Sequence, residues 1–348
     1  MYDTSSQSTQ VTMASINELT QEDNRTEKKL KVLFVSSGNL KNFDVAPFIK
    51  VQGDSLLNEN IDVTYFRVIG KGIRGYVSNI KRLKETLKNN KFDLIHAHFT
   101  LSAWVAVLCQ PKVPIVLSLM GTDAYGRVEK LSQAKPSLNY LTILTLMIQP
   151  FVKRVISKSP NIEKVVWQKK KSHILPNGVN IDSFSPSKSS FRNELDLKEN
   201  VQYVLFLGNP NDPRKNYDLV KKATPILKAK GIEVLAPYPI AHKKIYKYLN
   251  SVDVLVMCSL QEGSPNVVKE AMACNCKGVF TEVGDVRYLV DSTKGYRITG
   301  FDTEDLVNNI VNLLEEKECH GRSRLLELGL DLPNVAKKLK EIYLKALK

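Results

Sequence analysis

Short apolar runs of strand length alternate with amphipathic helical stretches along this chain, lapse near residue 180, and then begin again. This doubled alternation narrows the fold more than any other feature. Strand patterns fall at 31–36, 61–66, 92–97, 114–119, 153–157 and 173–175. Helical patterns at 46–57, at 78–89 (Ile80, Leu83 and Leu87 on one side) and around Trp104 lie between them. The second series has strands at 203–207, 232–235, 252–257, 277–281 and 296–299, with helices at 217–229, 242–250, 265–273 and 302–314. Apolar strands alternating with helices imply a parallel sheet covered on both faces. Two such series predict two doubly wound α/β domains, at 30–180 and 181–334. A last helix at 335–348 has Leu339, Ile342, Tyr343 and Leu347 at helical spacing. Open α/β sheets bind ligands beyond the carboxyl ends of their strands. Two sheets facing each other would enclose an interdomain cleft there.

With 348 residues and 43% hydrophobic content, the chain can supply a core to each domain. Residues 1–29 are rich in Ser, Thr, Gln and Asn and read as a disordered polar tail without the layout of a secretory signal. Lys plus Arg number 50 and Asp plus Glu 36, a net charge of +14. The lysines are scattered, and solvated faces account for most of them. The functional alternative is attraction to an anionic membrane surface. No basic stripe interleaved with aromatics is present, so nucleic acid is not an expected partner. Five cysteines, an odd number, fit a reducing compartment. The expected location is therefore cytoplasmic, with a peripheral position on the inner face of the cell membrane as a further expectation. The apolar run 140–152 is too short to span a bilayer and reads as a buried helix or a membrane-facing patch. Cys274 and Cys276 are too sparse for a zinc site, and no metal site is expected.

The stretch from Glu262 to Glu270 carries the most chemistry. Ser264 is a good N-cap residue, and Pro265 suits the first helical position. A helix starting there presents free N–H groups and a positive dipole end to an anion. Asn266 and Glu270 are four apart and share a face. At about 1.5 Å per residue, Glu270 lies about 8 Å along the axis from Pro265. A diphosphate at the helix tip would leave a ribose within reach of Glu270, and Glu262 would face the group on the far phosphate. A capped surface helix with two solvated acids is the plain alternative.

The same stretch resembles the E-x7-E signature of retaining glycosyltransferases of family 4. Further segments fit in order over roughly residues 30 to 345. Ile174-Leu-Pro-Asn-Gly-Val-Asn180, with Phe184 and Pro186, resembles the family's interdomain signature. Val204-Leu-Phe-Leu-Gly208, followed by Arg214 and Lys215, resembles its strand and loop for the donor diphosphate. The segments 92–98 and 118–123 resemble two strand ends that line the cleft. The resemblance implies two Rossmann-like doubly wound domains facing an interdomain cleft, the GT-B arrangement, with a C-terminal helix crossing back to the first domain. It implies transfer of a sugar from a nucleotide diphosphate sugar, UDP-linked, to a glycan, lipid-linked or small-molecule acceptor, with surface polysaccharide as one destination. No metal or other cofactor is implied.

Carried over residue by residue, the resemblance gives Glu262, Lys215 and Arg214 catalytic roles. It places the donor against Gly208, Asn209, Arg214, Lys215, Glu262, Gly263, Ser264, Pro265, Asn266, Val267 and Glu270. The acceptor side would include Gly38, Asn39, His98 and Asp123; capping is the equal alternative for Asp123, and a structural role for His98. The chain departs from the family at Asn209, where an arginine is usual, so that Arg214 is expected to take over that charge. It departs again at Met120, where a histidine is frequent in the family, and at Asp285, which stands where the family usually has a second glycine after the one matching Gly284. A thioether neither takes a proton usefully nor donates a strong hydrogen bond. The implied mechanism needs no strong protein base, because the leaving phosphate takes the acceptor's proton on the same face. Two other readings stay open: a non-catalytic nucleotide-sugar binder, and a GT-B epimerase or phosphorylase.

Overall fold

The computed structural model describes residues 28–40, 43–126 and 139–348. The polar segment 1–29 lies outside these residues, except for Lys28 and Lys29, which pair with Asp93 and Asp62. Two parallel sheets form as the alternation requires. The first holds β1 (Leu30–Ser37), β2 (Ile61–Val68), β3 (Leu94–His98), β4 (Ile115–Leu119), β5 (Arg154–Ser157) and β6 (Ser172–Ile174), in the order β2-β1-β3-β4-β5-β6. The second holds β7 (Gln202–Phe206), β8 (Ile232–Leu235), β9 (Val254–Met257), β10 (Lys277–Thr281) and β11 (Tyr296–Thr299), in the order β11-β10-β9-β7-β8. Every residue of β3, β4 and β9 is buried, as a parallel sheet covered on both faces requires, and this takes His96, His98 and Ser118 out of solvent with the apolar side chains.

In both sheets the second strand lies on one side of the first and the third lies on the other. The order therefore reverses between β1 and β3 and between β7 and β9. A crevice opens at the carboxyl ends of strands at such a point. The loop after β7 carries Arg214 and Lys215, and the loop after β9 carries Glu262, so topology alone brings these residues to one place.

The domains are packed directly on each other. One hydrophobic cluster includes Phe34 and Leu175 of the first domain, Val268 of the second, and Tyr343 of the last helix. Asn161 donates to the Gly284 carbonyl (2.8 Å), and Gln261 to that of Gly126 (3.0 Å). The last helix runs Leu332–Leu347, capped by Asp331, whose carboxylate accepts from the Asn334 amide. It follows the second domain in sequence yet lies on the first: the Tyr343 hydroxyl is 2.6 Å from Nδ1 of His96 in β3, and Arg154 donates to the Lys345 carbonyl.

Candidate active site

The turn Pro213–Lys215 begins the site. Asp212 caps it by accepting from the Arg214 amide, and Asn216 leaves it with φ +51°. The Arg214 carbonyl accepts from the Leu260 amide at 2.8 Å, tying this turn to the loop after β9. Lys215 Nζ then lies 2.6 Å from Glu262 Oε1, and Arg214 Nη1 lies 3.6 Å from Oε2. The Glu262 carboxylate is only 10% exposed, so both cations act on it in a poorly screened setting.

Glu262, Gly263, Ser264, Pro265, Asn266 and Val267 line a cavity of about 280 Å³ with Lys215. Met120, Lys158 and Asn177 of the first domain close its other side. A second cavity of about 580 Å³ adjoins it and shares Phe48 and Asn266. The larger cavity ends at Glu270, whose Oε1 accepts from His242 Nε2 at 2.9 Å. That bond holds the His242 pKa above its ordinary value. Phe184 stands edge-on to the imidazole, with ring centroids 5.6 Å apart.

The helix of the motif starts at Asn266 and runs to Ala273, so two expectations need correction. Pro265 is the N-cap and has ψ 119°; it is extended, not the first helical residue. Ser264 does not cap the helix: its hydroxyl makes no hydrogen bond to the helix amides and faces the Asp285 carboxylate. The amides at the helix start are thus left without a side-chain cap, which keeps them available to an anion. Lys269, from the same helix, is wholly buried and donates to the Asn177 carbonyl at 2.7 Å, anchoring the Pro-Asn-Gly segment to the helix.

Gly284 explains why the neighbouring loop carries glycine. It has φ +61°, and a Cβ there would lie 2.3 Å from the Gly263 oxygen. Asp285 beside it is buried, and burial pushes its pKa up to about 6 against the opposing charge of Lys269.

The remaining expected residues divide. Gly208 is not among the residues lining either cavity; a Cβ on it would meet Phe206 Cζ at 3.1 Å and Lys215 Cγ at 3.4 Å. Asn209 belongs to the turn, where its side chain accepts from the Asn211 amide, and it is not among the residues lining either cavity. Asn39 is likewise a loop clasp, giving and taking hydrogen bonds with Gly70. Gly38 allows close approach to Arg67, whose Cβ would be 2.9 Å from an added methyl. Asp123 is engaged as the capping alternative has it. It is fully buried, and its two oxygens accept from the amides of Thr100, Met120 and Gly121, so it knits the ends of β3 and β4 together. His98 is buried between Phe34 and His96, neither ring nitrogen is bonded among the described residues, and burial holds its pKa well below the usual value.

The sequence reading missed His242, Phe48 and Lys158. Lys158 did carry a signal, since it directly follows a strand. His242 carried none, because its partner is 28 residues away. Among the described residues, no three His, Cys, Asp or Glu side chains gather as a metal-holding group.

Comparison with known proteins finds matches of family and of fold. A family model described as Glycosyltransferase Family 4 matches residues 42–183, and one described as Glycosyl transferases group 1 matches residues 237–316. The chain is 23% identical over 280 residues to D-inositol 3-phosphate glycosyltransferase of Streptosporangium roseum, an alignment spanning 66% of this chain and 63% of that protein. Sucrose-phosphate synthase from Thermosynechococcus elongatus superimposes with a TM-score of 0.74 at 16% identity, over 91% of this chain and 98% of that one. The Anabaena protein HepE, solved in complex with UDP-glucose, superimposes with a TM-score of 0.67 at 15% identity, over 90% and 98% of the two chains.

Proposed function

Because this chain belongs to the group 1, family 4 glycosyltransferases of GT-B fold, we propose that it moves a sugar from a UDP-linked donor to an acceptor hydroxyl with retention of configuration and without a metal. The observation that carries this reading is the uncapped start of the helix Asn266–Ala273, which opens between Lys215 and Glu262 on one side and Glu270 on the other. The diphosphate sits in the smaller cavity against the helix amides. The nucleoside occupies the larger one, with its ribose hydroxyls on Glu270 and its base beside Phe184. A UDP-glucose-bound neighbour of the same fold supports the nucleotide assignment.

In the reaction the bond from the anomeric carbon to the phosphate oxygen breaks, and its electron pair stays on the leaving diphosphate. Lys215, Arg214 and the helix amides stabilise that growing negative charge. Glu262 faces the sugar, where positive charge develops. The acceptor oxygen attacks from the same face and gives its proton to the departing phosphate. The acceptor is a glycan, lipid-linked or small hydroxyl compound, and surface polysaccharide synthesis is one setting for it.

Association with an anionic membrane surface forms part of this reading. Tyr140, Ile143 and Met147 are exposed at helical spacing, with Phe151 and Trp167 exposed beside them. The Trp167 indole donates to the Leu146 carbonyl, and exposed Lys164, Lys169 and Lys170 lie next to it in sequence. An apolar patch bordered by lysines suits a headgroup layer. Among the described residues, no helix is long and apolar enough to cross a membrane.

A thermal-shift panel of UDP-, GDP- and ADP-sugars, followed by donor hydrolysis without acceptor, tests the reading. Stabilisation by a UDP-sugar and slow release of its sugar are expected. Stabilisation by none of the panel would overturn it.

A further inference from the structure

Lys158 directly follows β5 and is 3% exposed. Its ammonium is shielded from solvent and has no hydrogen-bond acceptor among the described residues. Lys269, of the same sign, acts on it, and the buried imidazoles of His96 and His98 face it as neutral groups, their pKa values held well below the usual value by burial. Burial first, and that repulsion second, push its pKa down to about 7. An isolated buried cation is costly, and most proteins pair it or replace it. Lys158 lines the same cavity as Lys215, approaching from the facing domain. Other polar atoms around that cavity are also unmatched among the described residues: Ser264 Oγ, Asn266 Oδ1 and Asn177 Oδ1. The uncapped helix start looks into the same space. A cation on one wall and helix amides with a second lysine on the other make a receptor for a small, strongly accepting anion.

We propose that Lys158 is the first-domain half of a phosphate clamp, its ammonium contacting the sugar-side phosphate of the bound nucleoside diphosphate opposite Lys215 and the helix Asn266–Ala273. This rests on the nucleotide-sugar reading above. The phosphate supplies the acceptor that the buried ammonium lacks. Since it is gripped from both domains, donor binding also favours the closed cleft. Binding brings in a proton, because a lysine that is partly neutral near pH 7 becomes fully charged beside a phosphate.

Isothermal titration calorimetry of the full chain with UDP and with UMP, in two buffers of different ionisation enthalpy at about pH 8, tests the clamp. The wild type is expected to take up more protons with UDP than with UMP. Lys158→Met should abolish that excess and weaken UDP roughly tenfold or more, with UMP held within about twofold. Lys158→Arg should restore the preference for UDP without proton uptake. A Lys158→Met protein that keeps both the preference and the excess uptake overturns the clamp and leaves the nucleotide-sugar reading standing. If that variant does not fold, equal uptake with UDP and UMP by the wild type is the overturning result. Wild-type protein that binds UDP no better than uridine overturns both.

Discussion

His242 Nε2 stands 2.9 Å from Glu270 Oε1, so the carboxylate at the end of the larger cavity already holds a hydrogen bond of the kind a ribose would offer. The bond joins the first turn after β8 to the helix after β9, and it makes the free protein sensitive to pH. The folded His242 pKa is raised above 6.5. Its contribution is therefore complete below about pH 6.5 and is lost as pH rises through the folded value. Melting temperatures measured from about pH 6 to pH 8 should show this loss in the wild type but not in Glu270→Gln. The difference should be small, because the imidazole is 40% exposed.

Replacing Glu270 by alanine should weaken UDP and UMP alike by about 1–3 kcal/mol, the value of a hydrogen bond to a charged group. Both ligands carry the ribose, so calorimetry should return the same loss for each. Unchanged affinity for both would remove Glu270 from the ribose site.

Lys215→Met should remove the nearer of two cations on the Glu262 carboxylate, at 2.6 Å, and leave Arg214 at 3.6 Å. The pair is largely but not wholly buried, so a stability loss of about 1–3 kcal/mol in urea unfolding is expected. Adding Glu262→Gln should recover much of that loss, because no buried charge is then stranded. Neither variant should recover turnover, which is expected to fall at least about a hundredfold with the leaving-group cation removed.

Tyr343→Phe should cost about 1–2 kcal/mol. His96 is fully buried, and its other nitrogen is already engaged with Ser118 Oγ at 2.7 Å, so Nδ1 would lose its hydroxyl partner and find no water. A lower urea midpoint with an unchanged slope would confirm a local loss.

Gly284→Ala should impair the site from outside it. The added methyl would press on the carbonyls of Glu262 and Gly263, at 2.8 and 2.3 Å, and φ +61° disfavours a side chain in any case. A destabilisation of roughly 1–3 kcal/mol with a disproportionate loss of donor affinity is expected. Donor affinity equal to wild type would show that the loop accommodates the methyl without moving Glu262.

The elements were legible because burial on a sheet or one side of a helix imposes a period on the sequence. Strands β8, β10 and β11 fall at the predicted residues, as does the helix Tyr217–Ala229. Boundaries set by single side chains were less legible. Ser264 and Pro265 satisfy every local rule for a helix start one residue earlier than the true one. Pro265 takes an extended ψ instead, and Ser264 faces Asp285. Asp123 shows the same limit from the other side. Nothing near it in sequence reveals that Thr100, 23 residues away, would supply it with a backbone amide.

From its sequence alone the chain determined two parallel sheets, the loops that end their strands, and a strand–loop–helix unit carrying Glu262 and Glu270. These depend on local periodicity and on spacing within one element. Only the packed domains decided that Lys215 would neutralise Glu262, that His242 would occupy Glu270, and that Lys158 would sit buried across the cleft without an acceptor among the described residues. Charge pairing and desolvation depend on what stands opposite through space, and those neighbours come from elements that the chain order keeps far apart.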